Sequence, residues 1–355
     1  MRERDPGRGL ADRPLVQLTL VRFREFVREP EAVFWTLVFP ILLAAGLGIA
    51  FRNRPAERSK VAVVVSEPGA ITLAASLERD SALAVERLDA PRAAAALRTG
   101  EVALVAEPDG AGGVRYRYDE TRPDGRTARL LADRAVQRAA GRRDAVAVRD
   151  ERVRERGARY IDFVVPGLLG MNLMGSGIWG IGFGIVDARR KKLLKRLVAT
   201  PMSRAEYLLS FLFSRLALLV GEVAVLLGFG ALAFGVPVRG PLALVAAICL
   251  LAALAFGGLG LLVASRVRTM EGANGLMNLV MLPMWVFSGV FFSATNFPRA
   301  FQPFIQALPL TAVNDALRAT MLRGAGWSAA APELAIVAAW LLVSFALALK
   351  LFRWQ

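Results

Sequence analysis

The sequence predicts a polytopic α-helical membrane protein with six transmembrane helices and an α+β extracytoplasmic domain inserted between helices one and two. Three observations lead there. Of the 355 residues, 55% are hydrophobic, and the mean hydropathy is +0.44. The formal net charge is nevertheless +15. A soluble chain this basic would suggest nucleic acid, whereas a basic and strongly apolar one keeps its cations at the cytoplasmic edges of a membrane. Third, apolar runs that approach or exceed the roughly 17–25 residues needed to cross a hydrocarbon core recur six times along the chain.

The first element is a cytoplasmic arm, residues 1–31. Met1 to Arg13 is polar and charged, with no apolar core before a small-residue cleavage site, which argues against a secretory signal peptide. On a helical wheel, Leu15 to Glu29 places Leu15, Val16, Thr19, Leu20, Phe23, Phe26 and Val27 on one arc, with Leu18 and Val21 as exceptions. Arg22, Arg24, Glu25, Arg28 and Glu29 lie opposite, the pattern of a helix lying in the membrane interface.

The six spans are Val33–Ala50, Phe163–Val186, Tyr207–Val236, Pro241–Val263, Gly272–Phe292 and Ala329–Leu349. In lipid the backbone must satisfy its own hydrogen bonds, so these are helices. Pro40 is expected to kink the first. Arginines crowd the arm, Arg266 and Arg268 follow span four, and Lys350 and Arg353 follow span six. The turn after span two carries Arg189, Arg190, Lys191, Lys192, Lys195 and Arg196. An even number of spans with both termini cytoplasmic accommodates all of these.

That topology puts residues 52–160 outside, because long loops translocate regardless of their charge. Lys60–Val65, Val85–Leu88, Val102–Val105 and the alternating Val114–Tyr118 read as strands, and Leu73–Arg79, Pro91–Arg98 and Thr127–Gln137 as helices. The rest, 161–355, holds spans two to six, a cytoplasmic loop at 187–206 and an outer segment at 293–327. Phe291, Phe292, Phe297, Phe301 and Phe304 crowd the start of that segment, as expected of an interfacial belt or a re-entrant helix pair.

Catalytic chemistry has little to draw on. There is no histidine, and the one cysteine, Cys249, lies in an apolar run. This excludes histidine acid–base catalysis, Cys/His zinc sites and an intrachain disulfide. No Gly-x-x-x-x-Gly-Lys-Ser/Thr phosphate loop occurs in the sequence. No bound cofactor or metal is expected, and the chain is not read as an enzyme.

The spans carry a few polar groups. Glu222 is an acid well inside span three, two turns from Arg215, and is either half of a structural pair or a functional group. Asn172 and Asn278 are candidates for packing or translocation, bonding across helices. Glycines 170, 175, 177, 180, 182 and 184 of span two allow close helix approach, within the subunit or at a gate or dimer face. Asp162, Asp315 and Arg318 are expected near the outer surface, solvated.

In the loop after span two, Leu193, Leu194 and Leu197 form an apolar stripe on a short helix stopped at Thr200-Pro201. Together with the stretch 189–204, the segments Leu282-Pro-Met-Trp-Val-Phe-Ser-Gly-Val-Phe-Phe292 and Leu308-Pro-Leu-Thr-Ala-Val-Asn-Asp-Ala-Leu-Arg318 carry a resemblance covering nearly the whole chain. It resembles the permease subunits of type-2 ATP-binding-cassette (ABC) exporters, in the longer form with a large outer domain. Many relatives have a Glu and a Gly-Thr just before the coupling leucines, where this chain has Asp187 and a wholly basic run.

The resemblance implies an interfacial elbow helix (Leu15, Phe23, Phe26, Val27) and a coupling helix (Leu193, Leu194, Leu197, Thr200, Pro201) that docks on a separate ABC ATPase subunit. It further implies ATP supplied through that partner, a homodimer or heterodimer of permeases in the cell membrane, and export of a hydrophobic or amphipathic, drug-like or lipid-like substrate. The alternative is an ion-coupled secondary transporter using Glu222, which would show inverted repeats; none is seen.

Overall fold

The computed structural model describes residues 14–51, 58–110, 112–143, 146, 157–191, 204–267 and 269–351. The chain divides into two compact units, one of Asn53–Val153 and one joining Met1–Arg52 to Arg154–Gln355.

The larger unit is helical. It begins with α1 (Pro14–Arg28) and α2 (Pro30–Ala50). Pro40 brings a widened turn rather than a simple break. Phe34–Val38, just before it, is π-helical, and the Phe39 N–H bonds the Phe34 carbonyl. Such a bulge is a usual accommodation where a proline interrupts the hydrogen-bond ladder.

The smaller unit supplies the next elements: β1 (Ser59–Val64), α3 (Ala70–Glu78), β2 (Leu83–Leu88), α4 (Ala90–Thr99), β3 (Leu104–Pro108), β4 (Val114–Arg117) and α5 (Pro123–Ala139). The strand order is β2-β1-β3-β4, with β1 parallel to both β2 and β3, and β4 antiparallel to β3. This corrects the α+β expectation. Parallel neighbours require helical crossovers, and reversing the strand order about β1 sends successive crossovers to opposite faces. Leu73, Leu77, Ala128 and Ala132 of α3 and α5 therefore cover Val61 and Val63, while Ala93 and Ala96 of α4 cover Ala62 and Val64. The unit is a three-layer α/β sandwich.

The helical unit resumes with α6 (Tyr160–Arg190), α7 (Arg204–Phe234), α8 (Leu242–Ala264), α9 (Met270–Phe287), α10 (Gln302–Ala307), α11 (Pro309–Arg323) and α12 (Trp327–Leu351). Helix α6 outruns its apolar segment at both ends: Arg159 and Asp162 form a capping box at its start, and Lys191 pairs with Asp187 one turn back, at 2.7 Å. Helix α9 stops at Phe287, short of the expected Phe292, because Ser288 is its C-cap and Gly289 turns with φ +68°. The segment after it holds two 3-10 turns and then α10 and α11.

Among the described residues, five helices are long and apolar enough to span a membrane: α2, α6, α7 (Phe213–Phe234), α8 and α12. Helix α9, interrupted by Glu271, Asn274 and Asn278, is not among them. Helices α6 and α8 are buried along most of their length, whereas α2, α7 and α12 are mostly uncovered. The α6–α8 crossing is close because Gly177 and Gly260 meet there. A Cβ on Gly260 would stand 2.7 Å from the Ile178 carbonyl oxygen, and one on Gly177 2.8 Å from Phe256 Cβ. The outer faces of the peripheral helices show Leu42, Ile49, Val220, Leu232 and Leu342, all exposed. So much uncovered apolar side chain on long helices suits lipid rather than water. This is a multi-pass membrane protein.

Candidate functional site

The polar residues of the spans converge near the middle of α6 and α7. Arg215 and Glu222 are seven residues apart, two helical turns, and so share one face of α7. Arg215 Nη1 donates to Glu222 Oε1 and Nη2 to Oε2, both at 2.6 Å. Facing them on α6 are Asn172 and Ser176, one turn apart. Ser176 Oγ accepts from Arg215 Nη2. Its own proton has three acceptors in reach, Glu222 Oε2 at 3.1 Å and the carbonyls of Asn172 at 2.6 Å and Leu173 at 3.5 Å. Asn172 Nδ2 reaches Glu222 Oε2 at 3.5 Å. The Arg215 and Glu222 side chains are 7% and 1% exposed, which rules out ordinary solvation as the source of their stability. A buried charge persists only when paired and hydrogen-bonded, and here the fork of the guanidinium matches both carboxylate oxygens. The ion-coupled alternative asks Glu222 to exchange protons. A carboxylate saturated by Arg215, Ser176 and Asn172 is built instead to brace α6 against α7.

A second cluster closes the start of α6. Asn314 and Arg318, one turn apart on α11, hold the turn that follows α9. Asn314 Nδ2 donates to the Ser288 carbonyl at 2.8 Å, Arg318 Nη2 to the Gly289 carbonyl, and Arg318 Nε to the Phe163 carbonyl at 3.2 Å. The guanidinium also lies 3.6 Å from the Phe163 ring centroid. These groups satisfy carbonyls that the end of α9 leaves without helical partners. The expectation that Asp162 and Arg318 are solvated is thus corrected. Asp162 is wholly buried, where it accepts from Arg159 Nη2 at 2.7 Å, Arg159 Nε at 2.9 Å and the Gly157 N–H at 2.8 Å. Arg159, at the threshold of the helix, has its pKa raised chiefly by that Asp162 hydrogen bond. Asp315 alone of the three is open, with its side chain 52% exposed.

A third contact lies at the far end of α6. Arg189 Nη1 donates to the carbonyls of Ala264 at 2.9 Å and Val267 at 2.6 Å, and Nη2 to Ser265 at 3.3 Å. It caps the C-terminus of α8, where a cation meets both the orphan carbonyls and the negative end of the helix dipole.

The other predicted positions fare differently. Asn278 bonds Asn274 on its own helix at 3.1 Å, not a neighbouring span, because its face of α9 is uncovered. Leu20, Phe23 and Val27 are exposed along one stripe of α1 and Phe26 is half-buried, while the side chain of Leu15 is outside the described residues. Leu193, Leu194, Leu197, Thr200 and Pro201 also lie outside them. Gly170, Gly177 and Gly182 pack within the subunit, against Asn314, Phe256 and Met277, whereas Gly180 faces open space. Among the described residues, no group of His, Cys, Asp or Glu side chains is placed to hold a metal.

The ABC-2 type transporter family model matches residues 135–322, from the end of α5 to within one residue of the end of α11. The chain belongs to the ABC-2 type transporter family. All three polar contacts fall inside the matched region. ABC transporter G family member 20 of Dictyostelium discoideum is 29% identical over 171 residues, 48% of this chain and 23% of that protein. The chain thus spans under a quarter of the length of the curated relative it matches.

Proposed function

We propose that this chain is the permease subunit of an ATP-driven exporter. The observation that carries this reading is the basic turn beyond α6 within an ABC-2 membrane domain whose sequence contains no phosphate loop. Energy then comes from a separate ABC ATPase subunit, docked on Leu193, Leu194 and Leu197 ahead of the Thr200-Pro201 stop. Helix α9 also crosses the membrane, as the fifth of six spans in chain order. Both termini are cytoplasmic, the α/β unit is extracytoplasmic, and the membrane is the cell membrane. The exposed stripe Leu20, Phe23 and Val27 supports α1 as an interfacial elbow, sunk into the lipid boundary.

Two permeases face one another, as a homodimer or a heterodimer, and substrate leaves between them. Asn274 and Asn278 on the uncovered face of α9 support placing that helix beside the path, since amide groups suit a partner or a wet cavity better than acyl chains. The substrate is hydrophobic or amphipathic, drug-like or lipid-like. ATP closure of the partner moves the coupling segment and reorients the spans as rigid bodies.

Co-purification with a co-expressed ABC ATPase subunit tests the reading. Leu194→Asp and Leu197→Asp together are expected to abolish assembly and ATP-driven efflux while leaving the permease in the membrane. Undiminished assembly and efflux would remove the coupling assignment.

A further inference from the structure

The second cluster has a feature that helix capping alone does not require. Gly167 of α6 leaves the groove into which the turn after α9 is pressed, and Gly170, one turn on, leaves room for Asn314 of α11. A Cβ on Gly167 would stand 2.6 Å from the Val290 carbonyl oxygen and 2.9 Å from Arg318 Nη2, and one on Gly170 would overlap Asn314 Oδ1. Val290 is buried in that groove at 1% exposure. What holds it there is polar and reversible. Asn314 and Arg318 reach it through the Ser288 and Gly289 carbonyls, and Arg318 simultaneously grips α6 through the Phe163 carbonyl and ring. Asn314 Oδ1 and the hydroxyls of Ser288 and Thr311 are buried with no hydrogen-bond partner among the described residues. A seat that leaves polar groups unsatisfied is less stable than its contacts alone imply, because each costs free energy when dry. Letting water in when the turn lifts recovers part of that cost.

We infer that Asn314 and Arg318 are positioning residues of an exit latch. They hold the turn Ser288–Val290 against Gly167, and its release opens the α6–α9 seam at the end away from the basic turn. The proposal rests on the permease reading for which side of the membrane that end faces. Arg318 is the hinge pin: its fork binds the moving turn and the fixed helix together, a geometry a lysine does not reproduce.

The experiment uses the full chain in its native host membrane, with Cys249→Ala removing the buried thiol and Val290→Cys reporting on the groove. Labelling by a membrane-impermeant charged maleimide is followed in energised and in ATP-depleted cells. With the latch intact, labelling is slow after depletion and severalfold faster during turnover. Arg318→Ala and Asn314→Ala are expected to raise the depleted rate about tenfold, since losing a hydrogen bond to a charged or buried group shifts a two-state balance on that order, and to erase the energy dependence. Arg318→Lys should fall between. A purely structural role would lower abundance or melting temperature without altering the energy dependence. Unchanged labelling in variants that reach the membrane overturns the latch. If the alanine variants do not accumulate, Arg318→Lys decides in the same assay. If Val290→Cys labels only when reagent is admitted to the cytoplasm, the topology falls, while the ratio between Arg318→Lys and the parent still judges the latch.

Discussion

Arg215 and Glu222 face each other across two turns of one helix, with each terminal guanidinium nitrogen donating to one carboxylate oxygen. Because Ser176 and Asn172 of α6 join them, breaking the pair exposes a buried charge at a helix–helix contact. Glu222→Met or Arg215→Met alone is expected to cost about 3–5 kcal/mol, and the double substitution much less, since a buried pair replaced by apolar side chains is often close to neutral. Thermal melting of the purified protein in detergent checks this. A double variant as unstable as the singles would show that Ser176 and Asn172 need the charges as partners.

The α6–α8 crossing gives a second expectation. Gly260→Ala drives a methyl against the Ile178 backbone, which no rotamer change relieves, at a cost of about 1–3 kcal/mol. Gly180→Ala meets nothing within 4 Å in this chain and should be neutral or gain up to about 1 kcal/mol of helix propensity. The same melting assay separates them, and a loss at Gly180 in the assembled complex would place a second chain against that face.

Removing the cap at the end of α8 is the third. Arg189→Ala leaves the Ala264, Ser265 and Val267 carbonyls without this donor, at about 1–3 kcal/mol. Arg189→Lys, with one compact charge in place of a fork, should recover the dipole interaction but not all the bonds. Hydrogen exchange in the last turn of α8 reads the difference.

Acid sensitivity of the α/β unit is the fourth. Burial raises the pKa of Asp80, but the Ala82 N–H and Arg134 outweigh it, leaving the folded value below the ordinary 3.8. A carboxylate depressed in the folded state stabilises above the unfolded pKa and loses that contribution as pH falls through the folded one. The contribution is therefore whole above about pH 5 and declines below the unfolded value, and it is small, because Arg134 is half exposed. Asp80→Asn should flatten the fall in β1 and β3 exchange protection between those limits, after correction for intrinsic exchange rates.

How much of this was legible beforehand follows from where each partner lies. Hydropathy located the long helices because each span declares itself within its own residues, and the seven-residue spacing of Arg215 and Glu222 put them on one face. Ser176 was passed over because its role depends on which helix lies opposite, and a lone serine in an apolar run carries no sign of that. Arg318 is expected at the surface, and Asn314 draws no expectation of its own, for a related reason: their partners are backbone carbonyls 26, 29 and 155 residues away, and a carbonyl leaves no mark in a sequence. The one available hint was Gly167 and Gly170, which leave room for the turn and for Asn314. The crossover helices of the α/β unit were visible as strand–helix alternation, but pairing partners had to be seen before parallel could be told from antiparallel.

The contact at Arg189 changes how a load is shared. This arginine opens the basic run, yet its side chain is spent on the end of α8, so a cation in the last turn of α6 fastens that helix to its neighbour. With α7 joined to α6 by Glu222 and Arg215, three long helices are tied at separate heights by buried polar clamps. A displacement applied at this end of α6 is therefore shared by three long helices at once, and α9 follows through Met277 and Met281, which pack on Gly182 and Gly175.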